Sequence, residues 1–359
     1  FCQVKTIASL IKSTRLARGL KVKELSLLSR IDQALVSKFE NGKRIPTLEQ
    51  VRGIAHALEA NLKEFETTRL ADKIYELVQY ETQSIEALKI AEERVEYLTS
   101  KKVFQVQVLD VNLKKSIFRI DALQADWNAK KPLDETQLTK MMEYFKMKYT
   151  YDSNRIEGNT LSFQETHLVV NEGITIGGKS MKDHLEAINH AEAVDFITQM
   201  IKTNEPLNQR TLLDLHTLVV KGIEKEGAGR YRDKQVMISG SAHMPPEPFL
   251  VNQLMEDYFI HYNRQRGVMH PVILAAEMHE RLVTIHPFVD GNGRTARLIM
   301  NLILLSNGFT IANIKGDLKV RLRYYQALES VQVNNDSTPF YTLICEEVEK
   351  SLQEHLALT

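Results

Sequence analysis

Apolar residues recur at helical spacing along almost the whole chain. Ile7, Leu10, Ile11 and Leu16 space a first helix, residues 22–28 a second and residues 33–40 a third, with Ile31 and Val36 turned inwards. Asn41-Gly42 should stop the third, because both residues accept left-handed backbone angles. Thr47, with Gln50 three positions on, reads as the capping box of a fourth helix running through Leu58. From 67 to 99 neither Gly nor Pro interrupts the pattern. Ile74, Leu88 and Val95 fall on one heptad position, and Leu70, Leu77, Ala91 and Leu98 on the other. Glu81 and Ser84 break that seam midway, which favours a linker helix over a coiled coil pairing two copies into a homodimer. Residues 103–111 alternate as a short strand would. Helices are then predicted over 134–148, capped by Asp134, and over 211–220, 271–284, 294–306 and 321–330. The one hairpin candidate joins Gly229-Arg230-Tyr231-Arg232 and the alternating Val236 and Ile238 to a turn at Ser239-Gly240-Ser241, before Pro245-Pro246-Glu247-Pro248 holds the exit extended.

The pattern makes an all-α chain with three segments: 1–66, a compact helical head; 67–110, a helical linker; and 111–359, the body. The length of 359 residues suits two or three domains, and 43% hydrophobic with 26% charged residues is ordinary for a soluble globular protein. Net charge is zero, but residues 1–66 carry 12 Lys and Arg against 7 Asp and Glu, a net +5 that the rest offsets. A basic head on an acidic body points to a polyanion partner at one end. Cys2 and Cys345 sit near opposite ends without ligand spacing, which fits a reducing, cytoplasmic setting. No run reaches membrane-span length, since Asn301 interrupts the most apolar stretch, and no signal-peptide pattern is seen. Position 1 is Phe, which leaves an initiator Met or short leader outside this numbering.

The densest chemistry lies between the helices at 271–284 and 294–306, in His286-Pro287-Phe288-Val289-Asp290-Gly291-Asn292-Gly293-Arg294-Thr295-Ala296-Arg297. Pro287 disfavours helical angles at His286 and should end the first helix there. Gly291 and Gly293 would let several N–H groups converge into an anion nest that opens on a helix N-terminus. Arg294 and Arg297 share one helix face, where guanidinium groups can fork onto phosphate oxygens. Asp290 offers hard oxygens for Mg²⁺ held between protein and phosphates. His286, ordinarily titrating near neutrality, is placed to take a proton. These residues together read as a general base facing a Mg²⁺–nucleotide.

HPFVDGNGR resembles the signature of the Fic family, HPFx(D/E)GN(G/K)R, and Arg297 extends the match to that family's second arginine. The resemblance implies a helical-bundle core with a small β-hairpin flap and an active-site loop at 286–294. It also implies transfer of AMP from ATP to a Tyr, Thr or Ser hydroxyl of a target protein or of the chain itself. His286 would be the catalytic base, Asp290 would hold Mg²⁺, and Gly291, Asn292, Gly293, Arg294 and Arg297 would hold the phosphates. Ser153-Asn154-Arg155-Ile156-Glu157-Gly158-Asn159 resembles the family's (S/T)xxxE(G/N) inhibitory motif, which places an inhibitory helix near 153–159. There Glu157 would pair with Arg297 and keep it from the γ-phosphate, with Ser153 anchoring the helix and Gly158 following its end. The segment near 229–243 resembles the Fic flap, where main chain around Val236 would align the target by β-augmentation. Of Tyr324 and Tyr325, Tyr324 is favoured as the aromatic wall for adenine. His184 and His190 are read as core histidines.

The head contains SKFENGKRIP and resembles the helix-turn-helix domain of XRE/Cro-type repressors. That resemblance implies DNA as a partner, with Gln33, Ala34, Ser37 and Lys38 facing base edges and Lys43 and Arg44 meeting phosphates. At Ser29-Arg30-Ile31-Asp32 the chain departs from the small, Gly-containing turn usual there. Two further functions stay open on these residues: removal of AMP from a modified protein, with Glu157 positioning a water, and transcriptional regulation with the Fic body as effector domain.

Overall fold

The computed structural model describes residues 6–100, 110–130, 135–224 and 226–359. Residues 1–102 form one compact unit and 103–359 a second. The strand expected at 103–111 and the Asp134 cap fall mainly outside the described residues. Among the described residues every regular element is a helix.

The first unit contains α1 (Ile7–Ala17), α2 (Val22–Ser29), α3 (Gln33–Glu40), α4 (Leu48–Ala57), α5 (Leu62–Val78) and α6 (Ser84–Ser100). Its core gathers Ile7, Ile11, Leu25, Val36, Phe39, Val51, Ile54, Leu58 and Phe65, at the helical spacing that made the pattern legible. Thr47 and Gln50 form the capping box of α4. A buried fork joins Arg15 of α1 to Glu40 of α3 at 2.6 and 2.7 Å, while the same guanidinium donates to Leu20 O. The Gly-less turn between α2 and α3 closes with Arg30 in the left-handed region (φ 56°, ψ 32°), Ser26 Oγ donating to Ile31 O, and Asp32 capping α3. The unbroken helix expected over 67–99 is corrected: a turn at 79–83 separates α5 from α6. It falls where Glu81 and Ser84 leave the apolar seam without a side chain to bury, so packing does not hold the helix straight there.

The second unit contains α7 (Val111–Ala129), α8 (Glu135–Ile156), α9 (Phe163–Glu172), α10 (Met181–Thr203), α11 (Gln209–Val219), α12 (Pro248–Gln265), α13 (Pro271–Ile285), α14 (Asn292–Ser306), α15 (Leu318–Asn334) and α16 (Thr338–Ala357). The antiparallel pair α13–α14 runs through the centre, buried on nearly every face, with α10, α11, α12 and α16 packed round it. A helix without a wide polar face is stable only when enclosed in this way. Its connecting loop is therefore held at both ends by buried scaffold.

The hairpin is also corrected. Residues 235–238 belong to no regular element and Ser241 N bonds Ile238 O across the turn, but no strand pairing forms among the described residues. The returning arm carries Pro245 and Pro246, which have no N–H to give to a ladder. Side chains bridge the arms instead: Gln235 Nε2 donates to Pro245 O at 2.8 Å, and Arg232 donates to Pro246 O.

Candidate active site

His286 caps α13 in the left-handed region (φ 51°, ψ 58°), the conformation that turns the chain out of the helix and into the loop. A non-glycine residue there carries about 1–2 kcal/mol of strain. Three carbonyls at this helix end are held from the 229–247 segment. Arg232 Nε donates to His286 O at 2.8 Å, Arg232 N to Pro287 O at 2.8 Å, and His243 Nε2 to Thr284 O at 2.9 Å. The imidazole Nδ1 lies 3.2 Å from Val283 O, a pure acceptor, so Nδ1 carries the proton and Nε2 keeps its lone pair. Burial first, and then the Arg232 cation, pushes the His286 pKa down to about 4, so the ring is a neutral base near pH 7.

The loop is closed by its own residues. Asn292 accepts from Phe288 N at 2.9 Å and donates back to Phe288 O at 2.8 Å. His216 of α11 stacks on Phe288, accepts from Gly229 N at 3.0 Å and donates to Asp290 O at 2.9 Å. This role escaped the sequence reading; a polar ring on the otherwise apolar face of 211–220 was the available signal. Gly291 has φ 79°, and a Cβ there would stand 2.9 Å from Val220 Cγ1. Gly293 differs, because its φ is not positive and it lies within α14. Its requirement is for space: a Cβ would stand 2.5 Å from Glu157 Oε1. The α14 ladder opens with Thr295 N to Gly291 O, so the N–H groups of 292–294 precede it, as at any helix start.

The arginines are buried at 2% and 1% exposure for Arg294 and Arg297. Arg297 donates to Glu157 Oε1 at 2.7 Å, Ser153 O at 2.9 Å, Ser153 Oγ at 3.0 Å and the Tyr324 hydroxyl at 3.4 Å. Glu157 sits one residue beyond α8, whose end is turned by Gly158 (φ 97°). The α8 terminus is pinned by Asp152, which accepts from Gly316 N at 2.9 Å and Asn313 Nδ2 at 2.6 Å. Arg294 Nη1 lies 3.2 Å from the buried Glu186 carboxylate, yet off the hydrogen-bonding direction; that nitrogen and Nε have no hydrogen-bond acceptor among the described residues. Glu186 was not foreseen, since nothing in the sequence around it distinguishes it from a surface glutamate.

Asp290 Oδ1 accepts from Gly291 N at 2.6 Å and Arg294 Nη2 at 3.4 Å. Among the described residues no group of three His, Cys, Asp or Glu side chains is placed to hold a metal. A lone, part-exposed carboxylate beside the expected phosphate site still fits Mg²⁺, which takes one or two carboxylates plus substrate oxygens and water.

Tyr324 is 1% exposed and lies beneath Arg297, its hydroxyl 3.1 Å from His279 Nε2. Tyr325 is 40% exposed and its hydroxyl caps Ile156 O at 2.9 Å, beside Glu157. Tyr325 is therefore the more open ring of the pair and Tyr324 the buried one. Val236 is half-buried on the outgoing arm of that segment. His184 accepts from Ile176 N at 2.8 Å, and His190 packs edge-on against Tyr149. In the first unit, Gln33, Ala34, Lys38, Lys43 and Arg44 are exposed and Ser37 half-buried on α3 and the turn after it. No described helix is long and apolar enough to cross a membrane.

Residues 206–304 match the Fic/DOC family and residues 11–65 a helix-turn-helix family. Among curated proteins, a protein adenylyltransferase Fic of Nematostella vectensis is 34% identical over 59% of this chain and 49% of its own length. One from Drosophila mojavensis is 34% identical over 71% of this chain and 49% of its own. The chain thus spans about half the length of the curated relatives it matches. A Fic-domain signalling protein from Bacteroides thetaiotaomicron superposes with TM-score 0.61 at 28% identity, over 67% of this chain and 96% of that one. Fic-1 of Caenorhabditis elegans shares the fold with TM-score 0.63 at 23% identity, over 98% of this chain and 97% of that one. Residues 206–304 are a Fic/DOC-family domain, carried on the same chain as a helix-turn-helix domain at residues 11–65.

Proposed function

We propose that the chain is a protein adenylyltransferase held in check by Glu157. The observation that carries this reading is the carboxylate of Glu157 lying against Gly293, at the start of α14, while it accepts from Arg297. A helix N-terminus with a buried guanidinium beside it is an anion site, and a carboxylate resting there stands in for a phosphate. ATP would bring its β- and γ-phosphates to Arg294 and Arg297 and its adenine to the open face of Tyr325. Bound Mg²⁺, held by Asp290 and the phosphates, would neutralise charge on the triphosphate.

His286 Nε2 removes the proton of a Tyr, Thr or Ser hydroxyl presented along residues 235–238. The freed oxygen bonds to the α-phosphorus as the bond to the β-phosphate oxygen breaks, and pyrophosphate leaves. The acceleration comes from alignment and charge placement. While Glu157 occupies Arg297, the γ-phosphate lacks its anchor and the α-phosphorus lies out of line. The test is intact-mass analysis after incubation with ATP and Mg²⁺. Glu157→Gly should raise AMP incorporation into protein by about tenfold or more, and His286→Ala in that background should abolish it. Equal incorporation in all three proteins would sink the assignment.

A second reading concerns the head. Asp32 caps α3 so that Gln33, Ala34, Ser37 and Lys38 line its outward face, with Lys43 and Arg44 flanking it. This arrangement suits insertion in a major groove. Binding to the DNA upstream of the gene that falls steeply with salt and is lost on Gln33→Ala would support it; affinity indifferent to sequence would not.

A further inference from the structure

His286 and the segment that would receive the target belong to different parts of the chain, yet one side chain grips both. Arg232 is 4% exposed. Its Nε holds the carbonyl of His286 and its backbone N–H that of Pro287, while its other nitrogens reach Lys234 O and Gln235 Oε1 on the outgoing arm and Pro246 O on the returning one. A planar guanidinium can fork to several carbonyls at fixed angles, which one ammonium cannot do. The strained left-handed turn at His286 is thereby fixed from outside its own helix, as such turns require.

We infer that Arg232 is a positioning residue for the reaction proposed above. It locks the backbone of His286 to both arms of the 229–247 segment, so that target docking and proton removal share one geometry. The inference rests on His286 as base and on residues 235–238 as the docking segment. Arg232 also acts on the ring electrostatically. The groups facing the His286 imidazole are Arg232 and His243, which disfavour its protonation, and Glu157 and Val283 O, which favour it. A purely structural arginine would leave the histidine's titration unchanged when replaced by a neutral residue that preserves the fold; this one should not.

The test uses the full chain in the Glu157→Gly background, with calorimetric ATP affinity, AMP incorporation against pH, and NMR titration of the His286 ring, which needs no activity. In Arg232→Gln the titration should move to higher pH, with incorporation about tenfold or more slower and ATP affinity within about twofold of the parent. Arg232→Lys keeps the cation, so the titration should stay near the parent while the rate remains depressed for want of the fork. An unmoved titration in a folded Arg232→Gln protein overturns the inference, as does a rate loss explained by ATP affinity alone. Should Arg232→Gln fail to unfold cooperatively, a parent-like rate in Arg232→Lys overturns it too. If His286→Ala still transfers AMP, the functional reading fails instead, and the titration result continues to judge the clamp.

Discussion

Gly293 illustrates how one position can answer to a contact rather than to its own backbone. Its helical conformation would accept alanine, and alanine would favour the helix by about 1 kcal/mol. What an added Cβ meets is the Glu157 carboxylate at 2.5 Å and Arg297 Nη1 at 3.1 Å. Both are ends of flexible side chains, so the carboxylate would retreat and its 2.7 Å pair with Arg297 would lengthen. Gly293→Ala should therefore act through the restraint. Glu157→Gly should raise AMP incorporation about tenfold or more in the parent, but less than about threefold in the Gly293→Ala background, a non-additivity expected of touching residues. Equal activation in both backgrounds would mean the two side chains do not compete for space. Gly291 has the opposite basis, a positive φ together with Val220 packed against it, and the sequence motif does not distinguish the two.

At the scale of elements, the turn from α2 to α3 offers the plainest stability change. Arg30 closes it in the left-handed region that favours glycine. Arg30→Gly should stabilise the head by about 0.5–1 kcal/mol, read as a higher denaturant midpoint of its unfolding with an unchanged slope. A lower midpoint would show that the side chain itself is needed. The same element-level logic explains what could be read in advance. The head's helices and the α13–α14 pair were legible because apolar spacing and caps such as Thr47 act locally. The loop between α13 and α14 was legible because Pro287 and the glycines after it mark where one helix stops and the next begins. The paired flap strands failed because pairing depends on the partner arm, where prolines remove the donors. The break at 79–83 was half visible, since Glu81 and Ser84 marked the place but not the turn. His216, Glu186 and the burial of Tyr324 depend on helices distant in sequence, and nothing local encodes them.

Over the whole molecule, titratable burial is unevenly shared between the two units. His190, His216, His279 and His286 all lie in 103–359, and burial lowers the pKa of each, to about 4 for His216 and His286. The head's His56 is exposed. A histidine held neutral in the fold contributes stability that is complete above its ordinary pKa near 6.5 and is lost as pH falls towards the folded value. Each such group adds a slope of about 1.4 kcal/mol per pH unit within that window. Glu280 works the other way: burial raises its carboxyl to about 8, so its contribution declines as pH rises from near 4.5 to 8. Burial raises the Asp152 carboxyl as well, yet four histidines outweigh two carboxyls below pH 6.5, and the balance of sign should reverse only above it. Calorimetry of the intact chain should therefore show the transition of the body moving to lower temperature from pH 6.5 to 4.5 while that of the head shifts much less. If the two transitions move in parallel, or the body's holds constant, the buried rings are not neutral in the fold. His286 would then not be the ready base that the proposed transfer of AMP requires.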